Sequence, residues 1–456
     1  MGSKLTNVPH PIPHLIEVPD RIPKGRYYDP EFFQAEVEHF WPRVWQMACR
    51  LEEIPEVNDF AVYDTLDQSV IVVRVAEGPG GVKAFHNVCK HRGVRLVTQH
   101  GTLRTGFTCP FHGWRFAPDG TNTAVTRRKS FSEHNLHTDD LNLSPVRCEV
   151  AVGCAWINFD DSAPPLRECI EPFASNMEAF HAEAYRVEWW RAMRLPVNWK
   201  MAMAAFLEQY HVLESHPQLR IMDRVLPNDA AEFDPQKFLR GELHYLRTMN
   251  VGMSGMVHGT DVAVAERLVE QIELPADPML AREVWDRTYN DAVTAWHREA
   301  GHDMPDLNEL TEMGANEPMA FCFPHHYVLP MYSSASSYRF RPLGPEECLM
   351  EIWSLTRYAE GEDRPRPMPP EVWEFDDPRV PPIPAQDYSN LPKQQKGVHS
   401  RGFEYLRLAA AMEGGVGNFE RAIDGVLTGV AWDTLLPALR LVNVNPLEQP
   451  VKDLGF

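Results

Sequence analysis

Apolar positions recur with a helical period from residue 28 to residue 45, and Asp29 followed by Pro30 is a typical start for such a helix. Short runs rich in β-branched and aromatic residues follow, and they predict strands at 59–63, 69–75, 82–87, 113–116 and 146–159. The first third of the chain is therefore predicted to be a small all-β domain.

The pattern changes after a linker at 160–165. Longer helical periods predict helices at 166–182, 279–300 and 418–429, and alternating runs predict strands at 188–195, 321–327, 334–341 and 348–358. The segment 364–392 holds nine prolines, so we expect neither a helix nor a central strand there. The fold class is therefore α+β, with a second domain built on an antiparallel sheet and covering helices.

Composition narrows the class of protein. Of 456 residues, 44% are hydrophobic and 24% charged, which is ordinary for a globular chain. A net charge of −20 argues against nucleic acid as a partner, and no apolar run approaches the about 18 residues that span a bilayer. We therefore expect a cytoplasmic protein with no membrane contact.

The eight cysteines are scattered along the chain, as is typical of reduced thiols. Cys148 and Cys154 could form a redox pair, although two core cysteines are favoured.

Two short motifs carry metal-binding residues. Cys89 and His91 form a Cys-x-His pair, Cys109 and His112 form a Cys-x-x-His pair, and a glycine follows each pair. Two thiolates and two imidazoles are the ligands of a Rieske [2Fe-2S] centre. They would also satisfy a structural zinc ion. Because each motif contributes one ligand of each kind, the iron–sulfur centre is favoured.

These motifs resemble those of the large (alpha) subunits of Rieske non-haem iron aromatic-ring-hydroxylating oxygenases. The family implies a mononuclear Fe(II) bound by two histidines and a carboxylate. The segment Glu208-x-x-His211-x-x-x-x-His216 resembles its motif, so His211 and His216 are the implied ligands. Alone, such a pair would more often be ordinary histidines. Its five-residue spacing is about 140° on an ideal helix, so the helix is expected to end near Pro217.

The resemblance gives Glu208 and Asp387 roles as well. Glu208 would link His211 to His112 of the partner subunit for electron transfer; alternatively, it only orients His211. Many relatives have Asp here, with an Asn before it where this chain has Ala204 and Ala205. Asp387 is the implied third iron ligand, although it could instead cap a helix. The alternatives to Asp387 are Asp376, Asp377, Glu404 and Glu413.

The family also implies domain limits and an activity. The expected domains are an N-terminal segment at 1–43 that packs with the catalytic domain, a Rieske domain at 44–162 and a catalytic domain at 163–456 of the helix-grip, StAR-related type. The implied reaction is O2-dependent dihydroxylation or monohydroxylation of a hydrophobic, aromatic or polycyclic substrate, with O- or N-demethylation as an alternative. A non-catalytic iron–sulfur electron carrier or a zinc-binding module is the alternative from another class.

Electrons must come from elsewhere, because the sequence has no dinucleotide-binding glycine motif and no second four-cysteine set. We expect an NAD(P)H-dependent reductase, with or without a ferredoxin. Residues 90–129 carry eight basic residues against one acid, Asp119, which predicts either a ferredoxin-docking surface or a solvated face. The resemblance implies a homotrimer, or an α3β3 assembly with a small subunit.

In the segment 218–318, Met249, Met253 and Met256 could line an apolar pocket, although core packing is favoured.

Overall fold

The computed structural model describes residues 12–221, 232–253, 255–315, 319–444 and 449–456. They divide into two compact units: the first contains Gln34–Cys169 and Arg364–Pro369, and the second contains Ile12–Phe33, Ile170–Asp363 and Pro370–Phe456. Within these ranges, no helix has the length and apolar character needed to cross a membrane. The domain limits expected at 43 and 162 stay predictions.

The strands in chain order are β1 (Arg21–Pro23), β2 (Gln46–Arg50), β3 (Asp59–Thr65), β4 (Gln68–Arg74), β5 (Val82–His86), β6 (Gly101–Thr102), β7 (Phe107–Thr108), β8 (Arg115–Phe116), β9 (Asn122–Ala124), β10 (Pro145–Ala151), β11 (Cys154–Asn158), β12 (Arg186–Leu195), β13 (Ala320–Cys322), β14 (His326–Met331), β15 (Ser334–Gly344), β16 (Glu347–Thr356), β17 (Val372–Glu374) and β18 (Tyr405–Arg407).

The helices in chain order are α1 (Pro30–Ala35), α2 (Thr138–Leu141), α3 (Leu166–Ile170), α4 (Phe173–Ala179), α5 (Trp199–Ala204), α6 (Val212–Ser215), α7 (Pro235–Gly252), α8 (Gly259–Leu268), α9 (Pro278–Glu299), α10 (Leu307–Glu312), α11 (Pro382–Val398), α12 (Gly414–Leu427) and α13 (Trp432–Val442).

The first unit is an all-β domain, as predicted. Its main sheet has the order β2-β11-β10-β5-β4-β3-β6, and β7-β8-β9 form a second, three-stranded sheet. Because side chains alternate along a strand, Val70 and Val72 of β4 enter one core while Ile71 and Val73 enter the other. The second core also holds Cys89, Cys109 and Trp114. One face of the sheet thus supports both cysteine motifs.

The strand predicted at 146–159 is a hairpin. β10 and β11 pair antiparallel across a turn at Val152 and Gly153, both of which have positive φ. Two central residues with positive φ give the turn whose twist suits a tight hairpin. Cys148 lies opposite Ile157 and Cys154 lies opposite Ala151, and all eight cysteines are free thiols.

The second unit has an antiparallel sheet covered by helices, as predicted. The sheet order is β13-β14-β15-β16-β12-β17, with only β17 parallel to its neighbour. Every residue of α12 is buried, and the ring of Phe419 on this helix meets Phe321 of β13 edge-on at 5.7 Å. Trp199 of α5 contacts the same Phe419 ring, also at 5.7 Å. α12 and α5 therefore share a core with the sheet.

Two further predicted elements are each divided in two at a proline. The helix predicted at 166–182 is two helices, α3 and α4, that separate before Pro172. The strand predicted at 321–327 is the hairpin β13–β14, with Pro324 in its turn. A proline removes the backbone N–H that either element would need to continue.

The proline-rich segment was also predicted wrongly in its second half. α11 begins at Pro382, and Pro382 and Pro384 occupy its first turn, where no intrahelical N–H is required, while Pro392 lies inside the helix. In the first half, β17 is a short edge strand, and Arg366 donates to Asp59 Oδ1 at 3.0 Å and to the Phe60 carbonyl at 2.9 Å within the first unit. Asp387 is therefore on a helix.

Other predicted helices differ mainly in length. The helix expected at 28–45 is α1, followed by a π-helical turn at Glu36–Phe40 and a 3₁₀ turn at Trp41–Arg43. α9 matches the helix expected at 279–300, with its start capped by Asp277, and α12 begins four residues before the predicted Asn418. Residues 222–231, 254 and 316–318 of the segment 218–318 lie outside the described ranges; Met249 and Met256 are buried in it.

The N-terminal residues 12–33 belong to the second unit. Arg26 is fully buried there and donates to Glu420 Oε2 at 2.9 Å and Asp424 Oδ1 at 2.5 Å, both on α12. Tyr27 donates to Glu420 Oε1 at 2.8 Å. Burial opposes the charge of Arg26, but Asp424 and Glu420 outweigh it and raise the pKa of the guanidinium. This paired charge fixes α12 against the N-terminal segment.

Candidate metal centres

The two cysteine motifs form loops with the same backbone hydrogen bonds. The Cys89 N–H donates to the Val94 carbonyl and the Cys109 N–H to the Trp114 carbonyl, both at 2.8 Å. The glycine four residues after each cysteine donates back to the cysteine carbonyl at 3.0 Å, with φ of +73° for Gly93 and +72° for Gly113. Glycine adopts this backbone conformation without strain. The loops are thus equivalent despite their different Cys–His spacing.

Each kind of ligand is grouped with its own kind. The Nδ1 atoms of His91 and His112 lie 3.2 Å apart, and His91 stacks on Trp114 with ring centroids at 5.0 Å. Cys89 and Cys109 are 2% and 3% exposed, whereas the two histidines are only half-buried. The site therefore has a buried sulfur side and a more accessible imidazole side.

The backbone N–H groups around Cys89 and the grouping of the side chains fit an iron–sulfur cluster. Burial raises the pKa of the Cys89 thiol and the neighbouring Cys109 adds to it, while backbone N–H groups of His91 and Arg92 donate to the sulfur and oppose the shift. A [2Fe-2S] cluster places two sulfur ligands on one iron and two imidazoles on the other, which matches this grouping.

A single zinc ion fits the geometry less well, because its four ligand atoms would lie about 4 Å apart. Among the described residues, the one set of three ligand atoms within 4.8 Å of one another is His211, His216 and Asp387. The four residues of the two cysteine loops do not form such a set. Their arrangement suits two irons better than one ion.

The segment that carries His211 and His216 is a broken helix, as the spacing predicted. α5 is capped by Asn198 and ends at Ala204, and α6 contains only Val212–Ser215. His211 therefore precedes this single turn and His216 follows it, with Pro217 starting a 3₁₀ turn. On a regular helix the two side chains would point about 140° apart around the axis, and the break removes this constraint.

Asp387 of α11 completes the group. Its Oδ1 lies 3.2 Å from His216 Nε2 and 3.7 Å from His211 Nε2, and the two imidazole centroids are 5.6 Å apart. Two neutral imidazoles and one carboxylate are the donor set that non-haem Fe(II) takes, with positions left open. The three residues implied by the resemblance are therefore adjacent. Their role as iron ligands stays a prediction.

The opposite nitrogen of each imidazole is held by another side chain. Glu208 Oε1 lies 2.6 Å from His211 Nδ1, and its Oε2 accepts from the His211 backbone N–H at 3.0 Å. Gln386 Oε1 lies 2.7 Å from His216 Nδ1 and also accepts from Gln218 at 2.9 Å. Because an acceptor at Nδ1 places the proton there, Nε2 of both rings is left for a metal.

The two imidazoles are also electrostatically prepared for a cation. Burial alone would lower the pKa of His211, but the hydrogen bond and charge of Glu208, followed by the charge of Asp387, outweigh it and raise that pKa. For His216, burial is outweighed in the same way by Asp387 and then by Gln386. The surroundings thus favour positive charge at this point, which a bound Fe(II) would supply.

Gln386 was not identified from the sequence, and we expect it to affect iron affinity. Replacing it with leucine removes the acceptor at His216 Nδ1, so the Fe(II) affinity of iron-depleted protein should fall about 10- to 100-fold. Asn390→Leu, at an exposed position on the same helix, is the matched control and should bind normally. A Gln386→Leu variant with unchanged affinity in a binding titration would show that this contact does not orient His216.

None of the four alternative carboxylates joins the group of three among the described residues. Asp377 is bound to Arg379, whose guanidinium and backbone N–H lower the pKa of Asp377 to about 2. Glu413 accepts from the Ala409 N–H at 2.6 Å; burial raises its pKa, and the charge of Glu208 adds to this shift. Glu413 is therefore a neighbour of Glu208.

A row of side chains lies on the sheet face beside Asp387. Tyr338 of β15 is paired with Ile352 of β16, which is paired with Arg191 of β12, so all three point to the same side. The ring of Phe206 packs on Tyr338 at 4.8 Å. Burial raises the pKa of Tyr388 next to Asp387, with Tyr338 and Asp387 adding to the shift and Arg191 opposing it. This face combines aromatic surface with polar groups.

The eight basic residues of the segment 90–129 are all exposed. Arg95 forms an ion pair with Asp64, and the Arg92 guanidinium lies 5.3 Å from the ring centroid of Phe111, which neighbours His112. Arg92 is therefore an accessible cation near the imidazole side of the first site. Ferredoxin docking at this surface stays a prediction.

Two known protein families match this chain, one in each unit. Residues 44–136 match the Rieske [2Fe-2S] domain, and residues 180–429 match the catalytic domain of the ring hydroxylating alpha subunit. The chain belongs to the family of ring-hydroxylating alpha subunits. This confirms the predicted family, with its Rieske [2Fe-2S] cluster and its mononuclear iron.

Curated relatives share this family. The chain is 30% identical over 198 residues to the carnitine monooxygenase oxygenase subunit of Escherichia coli (strain K12), covering 43% of this chain and 52% of that protein. It is 30% identical over 188 residues to the 2-aminobenzenesulfonate 2,3-dioxygenase subunit alpha of Alcaligenes sp, covering 41% and 47%. These matches span about half the length of the relatives. The glycine betaine monooxygenase oxygenase subunit of Chromohalobacter salexigens is 26% identical over 92% of this chain and 86% of its own.

Solved structures show the same fold. A naphthalene 1,2-dioxygenase variant bound to phenanthrene superposes with a TM-score of 0.62 at 19% identity, covering 94% of this chain and 97% of that one. The quaternary ammonium Rieske monooxygenase CntA gives a TM-score of 0.59 at 16% identity, with coverage of 90% and 96%. At these identities the likeness concerns the fold alone.

Proposed function

We propose that this chain is the terminal oxygenase of a multicomponent system that hydroxylates an organic substrate with O2. The observation that carries the proposal is the convergence of His211, His216 and Asp387, with both Nε2 atoms turned inward and both Nδ1 atoms held from behind. Cys89, His91, Cys109 and His112 are the proposed ligands of the [2Fe-2S] cluster.

When bound, the cluster supplies electrons and the mononuclear iron activates dioxygen. The chain's own residues prepare the site for this. Glu208 and Gln386 fix the orientation and tautomer of the two imidazoles. The ring of Phe206 packs on Tyr327, Tyr338 and Phe340, and Tyr338 is an electrostatic neighbour of Asp387, so this aromatic cluster is proposed to keep water from the site.

For the substrate, we propose a small organic molecule with both an apolar and a polar part. The relatives are named for carnitine, glycine betaine and 2-aminobenzenesulfonate, and the sheet face beside Asp387 combines aromatic rings with Ser336, Tyr338 and Arg191. Monohydroxylation, including hydroxylation at an N-methyl carbon that leads to demethylation, and dihydroxylation are all compatible with this face. The expected wholly hydrophobic, aromatic or polycyclic substrate stays a prediction.

Electrons would come from a separate NAD(P)H-dependent reductase, directly or through a ferredoxin. The exposed basic residues near His112 would suit an acidic carrier, because opposite charge accelerates docking. The proposed assembly is a homotrimer, or an α3β3 hexamer with a small subunit.

Metal analysis tests the proposal. Anaerobically purified protein should contain about three irons and two acid-labile sulfides per chain, and the dithionite-reduced sample should give a Rieske EPR signal. With a reductase, it should then consume O2 in the presence of carnitine, glycine betaine or 2-aminobenzenesulfonate. Zinc without sulfide would overturn the proposal. Two irons that Fe(II) reconstitution does not raise to three would leave only an electron carrier.

A further inference from the structure

The buried face of α7 contains one charged residue. Its apolar side chains recur at helical spacing, and Phe238, Leu239, Leu246 and Met249 are each no more than 6% exposed. Glu242 lies in the middle of this stripe and is only 4% exposed. A carboxylate in such a position costs free energy unless it is well paired or takes up a proton.

The pairing of Glu242 is weak within the described part of the chain. Its Oε1 accepts no hydrogen bond there, and the nearest guanidinium nitrogen of Arg282, on α9, lies 3.8 Å away. The Arg282 Nε instead donates to Asp286 Oδ2 at 2.9 Å, so two carboxyl groups share one guanidinium. The titratable and charged side chains that face Glu242 are Tyr245 on its own helix, Arg282, Asp286 and Tyr289 on α9, and Tyr332 in the turn between β14 and β15.

These surroundings favour the neutral form of Glu242. Burial raises the pKa of this carboxyl group to about 7; the charge of Arg282 opposes the shift, that of Asp286 adds to it, and a hydrogen bond from Trp285 opposes it. With α7 opened to water, the group would regain its ordinary pKa of 4.5. The closed packing therefore binds the proton more tightly. Its contribution to stability is complete below pH 4.5 and is lost as the pH rises through about 7.

α7 also touches two elements that carry or adjoin the proposed iron ligands. It lies against the 3₁₀ turn Pro217–Arg220, which begins directly after His216. At its other end, Gly252 is so close to Ile383 of α11 that a Cβ atom on Gly252 would lie 2.9 Å from Ile383 Cδ1. Ile383 is about one helical turn before Asp387. Movement of α7 would therefore disturb both sides of the proposed iron site.

We propose that Glu242 is a proton-dependent latch: its neutral carboxyl group keeps α7 closed against α9, and its ionisation loosens α7 and with it the proposed iron site. An ionised carboxylate needs water, but the rings of Trp285 and Tyr289 stack at 5.3 Å and those of Tyr289 and Tyr332 meet at 4.8 Å. Hydration of the carboxylate therefore requires α7 to move. The latch does not depend on the proposed function, whereas its effect on iron rests on it.

Hydrogen exchange of the full-length protein tests the latch. After correction for the intrinsic effect of pH, the protection of the α7 amides should fall about 10-fold from pH 6 to pH 8 and then level off, because the pKa is 4.5 in the open form and about 7 in the closed form. Glu242→Gln has the shape of the neutral acid and should abolish this fall. Glu283→Gln, at an exposed position on α9, is the matched control and should keep it.

Arg282→Met is a second variant, which decides the matter if Glu242→Gln does not fold. Arg282 opposes the rise in the pKa of Glu242, so without it the loss of protection should continue above pH 8. Constant protection of α7 in wild type between pH 6 and pH 8 would overturn the latch. A Glu242→Gln variant that keeps the fall, or an Arg282→Met variant that levels off as wild type does, would do so too.

The effect on iron is measured as the rate of Fe(II) release to an excess of chelator. If release follows the opening of α7, the ratio of the wild-type rate to the Glu242→Gln rate should be about 10-fold higher at pH 8 than at pH 6. Comparison at equal pH cancels the protonation of the imidazoles. An unchanged ratio would contradict the link between the latch and the iron site. Wild type that holds no mononuclear iron would contradict the proposed function, and hydrogen exchange would still decide about the latch.

Discussion

Replacing His211 with alanine is expected to remove about one iron per chain and to lower substrate oxidation by more than about 100-fold, while the reduced Rieske EPR signal stays unchanged. The variant loses the Nε2 that faces Asp387 at 3.7 Å, and it leaves Glu208 without the imidazole that it contacts at 2.6 Å. Two remaining donors hold Fe(II) too weakly to survive purification. Iron analysis, EPR spectroscopy and turnover on one preparation measure all three effects.

The control is His244→Ala, an exposed histidine on α7, which should keep about three irons per chain. Equal iron content in His211→Ala and wild type would contradict the proposed function and favour an electron carrier or a zinc-binding module. Loss of the Rieske signal together with the iron would instead mean that the substitution disturbs the whole chain. The experiment therefore separates a local metal site from general instability.

The two cysteine–histidine motifs could be identified from the sequence because their geometry is local. Cys89 and His91, like Cys109 and His112, lie within one tight loop, and the glycine four residues after each cysteine allows that loop to close. The order of cysteine, histidine and glycine along the chain was therefore enough to predict both loops. The break between His211 and His216 was predictable for the same reason, because Pro217 ends the turn.

The surroundings of the proposed ligands depend on contacts between distant segments. Gln386 reaches His216 across 170 positions of sequence, and nothing in its own neighbourhood distinguishes it from a surface glutamine except its place before Asp387. The helix that carries both was missed for two reasons: Pro382 and Pro384 are favourable in its first turn, and the helix continues through Pro392. The alignment of Tyr338 with Arg191 depends on strand register, which the sequence pattern alone does not fix.

Glu208 is expected to contribute more than orientation. Both of its oxygens contact His211, one at Nδ1 and one at the backbone N–H, so the orienting role is satisfied within one chain. The single carbonyl oxygen of glutamine can still accept a hydrogen bond from Nδ1, but its amide group cannot accept one from the backbone N–H. If orientation were the whole role, Glu208→Gln would lose little activity. We expect a loss of about 100-fold or more with both metal sites filled, because the carboxylate is proposed to link His211 to His112 of the partner subunit.

Glu214→Gln is the control for this substitution, since Glu214 lies on the same segment but is exposed and paired with Arg220. It should retain wild-type turnover and iron content. Glu208→Gln with near-normal turnover would restrict Glu208 to orienting His211. Loss of the mononuclear iron from Glu208→Gln would contradict the expectation that both metal sites stay filled, and it would show that the contact with His211 is needed for iron binding.

Co-assembly of two inactive chains tests whether electrons pass between subunits. Cys109→Ser lacks the cluster and His211→Ala lacks the mononuclear iron, so each alone should be inactive. If electrons pass between subunits, mixed oligomers from equal co-expression should recover about a quarter of wild-type turnover, because about one neighbouring pair in four has an intact donor next to an intact acceptor. Transfer within one chain would give none. Adding Glu208→Gln to the Cys109→Ser chain should abolish the recovery, whereas adding it to the His211→Ala chain should not, because only the chain that keeps His211 uses this carboxylate.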